Sequence, residues 1–187
     1  MLNNQHFALS RASCLGGSDI GAVLGVSPYR SAVDVWMEKT GRRSGVRDSL
    51  ALRFGSFAES FIASEYALAT SSSLVSHDLP MVHPQYGYLS GHIDRFICSG
   101  PLFDEAGSLR ATRVLECKTA NVFSQSDWGE VGTDQVPLSY LVQCLWYLML
   151  TNLDQADIAV LFGNADFRIY NIHRDTAIEQ ELLERAI

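Results

Sequence analysis

The stretch from Leu109 to Thr119 most constrains what this chain can fold into, because an apolar strand pattern runs directly into charged side chains. In an extended strand, residues i and i+2 share a face. Glu116 and Lys118 therefore point the same way, and Cys117 points the opposite way. Charged groups beside the buried faces of a sheet need partners or a metal ion. The two interpretations are an ion pair between Glu116 and Lys118 and a hydrolytic site that contains both.

A second acid, Asp94, lies late in the predicted strand from 88 to 98 and closes its apolar part. If this strand is a neighbour of the first, Asp94, Glu116 and Lys118 converge. Carboxylates bind Mg²⁺, and a lysine beside them can orient water, as phosphodiester hydrolysis requires. Asp94 alone would fit a turn cap or a surface salt bridge equally well. The three residues together predict a metal-dependent hydrolase.

The other elements predict a mixed α/β fold in which a central sheet has helices on both faces. At 187 residues, 47% of them apolar, the chain is expected to form a single domain over residues 1–187. Its helical part is expected at about residues 1–72 and its sheet-bearing core at about 73–187. Strands are predicted at 74–83, 88–98, 109–119, 156–162 and 167–173, and helices at 18–24, 31–40, 49–69, 137–151 and from 175 onward.

The long helix at 49–69 carries apolar residues around most of its circumference, which predicts burial on several sides. These residues are Leu52, Phe54, Ala58, Phe61, Ile62 and Tyr66. Glu59 projects among them, where a carboxylate is costly unless it is paired. Glu59 is therefore either a surface glutamate that extends into solvent or an outer metal ligand.

Gln143 and Tyr147 form a polar pair in the otherwise apolar helix at 137–151. They are four residues apart and hence lie on one face of that helix. The pair either reaches into the site or forms a core tyrosine beside a hydrogen-bonded glutamine.

The formal net charge of −7 argues against a general DNA-coating protein, since phosphate contacts dominate non-specific affinity. A nuclease fits this charge, because metal-binding carboxylates add negative charge to the protein. No apolar run is long enough to span a membrane, and the N-terminus lacks a secretion signal, so a cytoplasmic protein is expected. The four cysteines lack the spacing of a zinc site.

The acids and the lysine stand in an order that resembles the PD-(D/E)xK nucleases. The matching elements are Glu59, Asp94, Glu116-Cys117-Lys118 and Gln143-x-x-x-Tyr147, and the last pair resembles the extra motif of RecB-like members. The segments at 16–20 and 24–29 resemble the YqaJ-type viral recombinase family, relatives of phage lambda exonuclease. The likeness continues at 31–41, 128–130 and 136–140, and it thus covers nearly the whole chain.

The resemblance implies a restriction-endonuclease-like (PD-(D/E)xK) core with a divalent metal, Mg²⁺, for which Mn²⁺ can substitute. The implied metal ligands are Asp94, Glu116, the main-chain carbonyl of Cys117, and Glu59, which would hold a second metal or its waters. Lys118 would position or deprotonate the attacking water and stabilise developing charge. Gln143 would orient Lys118 or that water.

The resemblance also implies contacts with DNA. Arg11 and Ser18 are seven residues apart, as are the arginine and serine that receive the 5′-phosphate in lambda-type exonucleases. Without the resemblance, Ser18 is interpreted as an ordinary helix cap. Leu52 occupies the position of an apolar wedge at the duplex end, and Tyr147 is grouped with the DNA-binding residues.

The expected activity is that of a 5′→3′ exonuclease on double-stranded DNA ends in phage-type homologous recombination. An endonuclease or a single-strand exonuclease could use the same site. A DNA-end-binding or partner-docking module without catalysis is the alternative of another class. The resemblance further implies a homotrimer and a single-strand-annealing recombinase as partner.

Overall fold

The computed structural model describes residues 13–43 and 49–187. The chain begins with three helices, α1 (Gly17–Val23), α2 (Ala32–Lys39) and α3 (Leu50–Thr70). Ser31 and Ser49 cap α2 and α3, because each hydroxyl accepts a hydrogen bond from a backbone N–H three residues on. These helices agree with the predicted ones to within one or two residues.

A five-stranded sheet forms the centre of the described structure. Its spatial order is β1 (Leu74–Val75), β4 (Arg95–Ile97), β5 (Arg113–Ala120), β6 (Gln155–Phe162) and β7 (Asp166–His173). β5 and β6 run parallel, and the other neighbours in this sheet are antiparallel. α4 (Leu138–Thr151) connects β5 to β6, and α5 (Thr176–Ala186) follows β7. The predicted mixed sheet is therefore confirmed.

The two predicted strands at 74–83 and 88–98 are each broken, which corrects the prediction. β2 (Met81–Val82) and β3 (Ser90–Gly91) pair in a separate two-stranded sheet. The chain thus changes its pairing partner between β1 and β2 and again between β3 and β4. Asp94 consequently precedes a strand rather than closing one. Because β4 is antiparallel to β5, with Arg95 opposite Leu115, the start of β4 still lies beside Glu116.

The core lies on both faces of the sheet, because side chains alternate along each strand. On one face, Val114 and Ile158 pack in a cluster that includes most of α4. On the other face, Leu115 and Ala159 pack against α3. Helices therefore cover both faces, as predicted.

α3 is not buried on several sides, and this prediction was wrong. Its buried residues are Ala58, Ile62, Ala63 and Tyr66, which lie on one face against the sheet. Leu52, Phe54 and Phe61 are 49%, 47% and 53% exposed. A single helix face suffices to cover this part of the sheet, so the remaining apolar side chains face solvent. Among the helices in the described ranges, none is long and apolar enough to cross a membrane.

Candidate active site

Glu116 and Lys118 project from the α4 face of β5, as the strand alternation predicts. Lys118 Nζ donates a hydrogen bond of 2.6 Å to Glu116 Oε1. Cys117 packs on the opposite face, against the cluster that contains α3. The ion pair that sequence reasoning offered as the simplest interpretation is thus present, and it lies inside a larger polar network.

Gln143 links the two charged residues to α4. Its Nε2 donates to Glu116 Oε1 at 2.6 Å and to the Tyr147 hydroxyl at 2.9 Å. Its Oε1 accepts from Lys118 Nζ at 3.1 Å. An amide can donate and accept at once, and this orientation matches the carboxylate to the NH₂ group and the ammonium to the oxygen. The predicted polar pair of α4 therefore reaches the site.

The second oxygen of Glu116 is the most informative atom of the site. Glu116 is 4% exposed, and its Oε2 is buried with no hydrogen-bond partner among residues 13–43 and 49–187. A buried, unpartnered carboxylate oxygen is costly unless a cation or ordered water satisfies it. An oxygen of this kind is what a hard cation such as Mg²⁺ binds. The residues present therefore fit the implied metal.

Asp94 lies next to Glu116 and directly precedes β4 in the chain. Asp94 Oδ2 accepts a hydrogen bond of 2.8 Å from the Cys117 N–H. Burial, and then the negative charge of Glu116, raise the pKa of Asp94 to about 8. A nearby cation would reverse this preference for the protonated form. Burial also raises the pKa of the Cys117 thiol, and this side chain packs on the face of β5 opposite Glu116.

Glu59 reaches the same pocket from α3, but its carboxylate is already paired. Arg95 Nη1 donates to Glu59 Oε1 at 2.7 Å. In the described part of the chain, no three His, Cys, Asp or Glu side chains are gathered tightly enough to form a metal cage. Mg²⁺ usually keeps several waters and needs one or two carboxylates. Asp94 and Glu116 are the two carboxylates of the cavity that Arg95 does not pair, and they match the number that one Mg²⁺ ion needs.

Lys118 is enclosed by groups that keep it charged. Burial alone lowers its pKa, but the charge and hydrogen bond of Glu116 outweigh burial and raise that pKa above its ordinary value. The Tyr140 ring lies 4.9 Å from Nζ, where its π face favours a cation. Lys118 is therefore suited to donate hydrogen bonds and stabilise negative charge rather than to remove a proton.

Two residues of the site were missed by sequence reasoning. Tyr140 precedes Gln143 by three residues on α4, so helical spacing alone could have placed it on the same face. Arg95 follows Asp94 directly and pairs with a glutamate 36 residues away, and no local pattern announces such a contact.

An open cavity of about 280 Å³ is lined by residues of α3, by Asp94 and by residues 116–119 of β5. Glu59, Asp94, Glu116 and Lys118 contribute the charged part of its wall. Leu52 lies on the α3 side of the same cavity and is 49% exposed. The position predicted for the apolar wedge is thus beside the acidic residues.

The other predicted DNA contacts are placed differently. Ser18 is exposed, but the N-cap of α1 is Gly16, whose N–H donates to Asp19 Oδ2 at 3.0 Å, so Ser18 is not the helix cap. Arg11 lies outside the described residues. Tyr147 is 3% exposed, and a Cβ added at Gly91 would lie 2.7 Å from its ring. A direct contact of Tyr147 with DNA does not fit this buried position, and the side chain instead supports Gln143.

Comparison with known proteins supports the fold seen here. An alkaline exonuclease (LHK-Exo) from Laribacter hongkongensis superposes with a TM-score of 0.72 at 14% identity, covering 94% of this chain and 85% of that one. A phage-related exonuclease from Haemophilus somnus 129PT gives a TM-score of 0.65 at 12% identity, over 92% and 90% of the two chains. The restriction-endonuclease-like fold predicted from the sequence is confirmed.

Sequence comparison identifies the family. The uncharacterized protein YqaJ of Bacillus subtilis (strain 168) is 27% identical over 177 residues, which are 93% of this chain and 51% of YqaJ. The chain thus spans about half the length of this curated relative. A family profile described as "YqaJ-like viral recombinase domain" matches residues 6–154. The chain belongs to the YqaJ-like viral recombinase domain family.

Proposed function

We propose that this chain is a Mg²⁺-dependent deoxyribonuclease that degrades double-stranded DNA from its ends in the 5′→3′ direction. The observation that carries the proposal is the buried, unpartnered Oε2 of Glu116 next to Asp94 and the Lys118 ammonium. Two carboxylates and a cation in one cavity are the groups that phosphodiester hydrolysis requires. Mn²⁺ is expected to substitute for Mg²⁺.

In the proposed mechanism, Asp94, Glu116 and the main-chain carbonyl of Cys117 would hold the metal. When bound, Mg²⁺ would supply Lewis acidity, which lowers the pKa of water and neutralises charge on the scissile phosphate. Lys118 donates hydrogen bonds to the attacking water and to the phosphate oxygens, where it stabilises the developing negative charge. Gln143 holds Glu116 Oε1 and Lys118 Nζ in one arrangement, so that both meet the substrate in a fixed geometry.

Action at DNA ends rests on the family and on the position of Leu52. LHK-Exo, one of the structural neighbours, has been solved in complex with dAMP, and its name describes an exonuclease. Leu52 is exposed at the cavity that contains the acids, where it can meet the terminal base pair. Recognition of a 5′-phosphate by Arg11 and Ser18, a trimeric assembly and a single-strand-annealing partner are expected from the family resemblance.

The test is digestion of linear duplex DNA labelled at either 5′ or 3′ ends, with and without a 5′-phosphate, in Mg²⁺. The wild type should release 5′-terminal nucleotides first and prefer the phosphorylated end. Glu116→Gln and Lys118→Ala should each lower the rate by about 100-fold or more, because each removes charge from the reacting centre. Glu179→Gln is the matched control, since Glu179 is a 5% exposed, ion-paired glutamate on α5 outside the site.

The substrate set also separates this function from its competitors. Covalently closed circular DNA should stay intact, and its cleavage would identify an endonuclease. Binding of duplex ends without hydrolysis in either Mg²⁺ or Mn²⁺ would identify a non-catalytic module. Equal rates for wild type and Glu116→Gln would remove the proposed site.

A further inference from the structure

Arg95 pairs with Glu59, the carboxylate that α3 contributes to the cavity. Arg95 is the first residue of β4, and its register partner Leu115 packs on the α3 face of the sheet. Its Nη1 donates to Glu59 Oε1 at 2.7 Å and also contacts the main-chain oxygen of Asp94. The Arg95 guanidinium thus links the Glu59 carboxylate on α3 to the main-chain oxygen of Asp94, one of the proposed metal ligands.

The Arg95–Glu59 ion pair reduces the negative charge with which the cavity attracts a cation. Glu59, Asp94 and Glu116 line the cavity, and Arg95 and Lys118 each pair with one of them. Of the three, Glu59 pairs with Arg95, Glu116 pairs with Lys118, and Asp94 accepts a hydrogen bond from the neutral Cys117 N–H. The unpartnered oxygen that points to a ligand belongs to Glu116, not to Glu59. The attraction for a cation is therefore concentrated between Asp94 and Glu116.

We propose that Arg95 takes the place of a second cation at Glu59, so that the DNA-free protein binds one divalent ion, at Asp94 and Glu116. The inference rests on the proposed metal-dependent function. It makes Arg95 a positioning residue that limits metal occupancy. Removal of the guanidinium would leave Glu59 beside the cavity without its cation and would open a place for a second ion.

The test counts Mn²⁺ ions bound per chain to the DNA-free protein, by calorimetry and by the loss of the free Mn²⁺ paramagnetic resonance signal. The wild type should bind one ion and Arg95→Met should bind two, whereas the double variant Arg95→Met with Glu59→Gln should return to one. Arg168→Met is the matched control and should bind one. Arg168 is 25% exposed and pairs with Asp166 at 2.6 Å, compared with 22% and 2.7 Å for Arg95, and it lies on β7 of the same sheet.

Glu59→Gln alone provides a second arm that does not depend on how Arg95→Met folds. Its affinity for the single Mn²⁺ should stay within about twofold of the wild type, and a tenfold loss would show that Glu59 binds the first ion and would overturn the inference. Two ions in the wild type, or one ion in a folded Arg95→Met variant, would overturn it as well. In these cases the wild type still degrades DNA, whereas failure of the proposed function would leave the DNA intact and the protein without bound Mn²⁺.

Discussion

At the scale of single residues, the metal-free structure favours the neutral, protonated form of Asp94. The ordinary pKa of an aspartate is near 3.8, and burial with the adjacent Glu116 raises that of Asp94 to about 8. Between these pH values the folded protein keeps a proton that the unfolded chain has lost. The free energy of unfolding of the metal-free protein therefore falls as pH rises from about 4 to about 8.

Asp94→Asn should remove this pH dependence while it keeps an oxygen for the Cys117 N–H. Near pH 8 the variant should be more stable than the wild type by about 1–3 kcal/mol, because folding of the wild type must then either bury the charge of Asp94 or take up a proton. The difference should vanish near pH 4, where both proteins are neutral at this position. Urea unfolding in EDTA at several pH values measures it. A constant difference across this range would show that Asp94 is not desolvated as described.

The residues of the site show how far local sequence rules reach. Glu116 and Lys118 could be assigned to one strand face and Cys117 to the other, because a strand has a period of two. Gln143 and Tyr147 followed from helical spacing in the same way. The Arg95–Glu59 pair could not be predicted, because it depends on how α3 packs against the sheet.

At the scale of elements, a buried carboxylate on β6 links α3 to the sheet in addition to their apolar packing. Asp157 on β6 is 1% exposed and accepts hydrogen bonds from the Tyr66 hydroxyl, from Arg113 at 3.1 Å and from Asn171 at 2.7 Å. Tyr66 follows Glu59 by seven residues and hence lies on the same side of α3. This contact is one of those that hold α3, and with it Glu59, against the sheet.

Tyr66→Phe should therefore destabilise the protein by about 1–3 kcal/mol, because Asp157 loses a donor in a buried site. Tyr170→Phe is the control. Tyr170 is 0% exposed, and its hydroxyl donates to the neutral carbonyl of Gly129 at 3.2 Å, so a loss nearer 1 kcal/mol is expected. Denaturant unfolding of both variants measures the difference. Equal losses would argue against a special role of Asp157.

Regular elements were predicted well and interrupted ones were not. β6, β7, α4 and α5 agree with their predicted bounds to within one or two residues, since long periodic segments determine their own structure. The strands at 74–83 and 88–98 were predicted as continuous, and the structure breaks both. Both breaks occur where the chain passes between the five-stranded and the two-stranded sheet. A local sequence pattern predicts a strand but does not identify the strand with which it pairs.

At the scale of the whole molecule, metal binding should stabilise the fold. A ligand that binds only the folded state adds about 2.7 kcal/mol at 100 times its Kd. For a chain of this size that corresponds to a rise of about 5–10 °C in the unfolding temperature. The wild type should show this rise in Mg²⁺ and lose it in EDTA, and Glu116→Gln should show little of it. Differential scanning calorimetry provides the measurement, and an equal rise in both proteins would place the metal elsewhere.

The family resemblance also predicts the assembly. Light scattering should give the mass of a trimer, about three times the 20.7 kDa of one chain, at micromolar concentration. A monomer mass would contradict the prediction.

The place of β4 in the sheet bears on when activity can arise during synthesis. Glu59 and Asp94 leave the ribosome first, but β4 is three residues long and pairs with β5, which is complete only at Ala120. Gln143 and the parallel neighbour β6 come later still. A nascent chain that ends before β5 therefore carries both early acids and no site. The proposed hydrolytic activity therefore requires synthesis to have passed β6, which completes the pairing of β5.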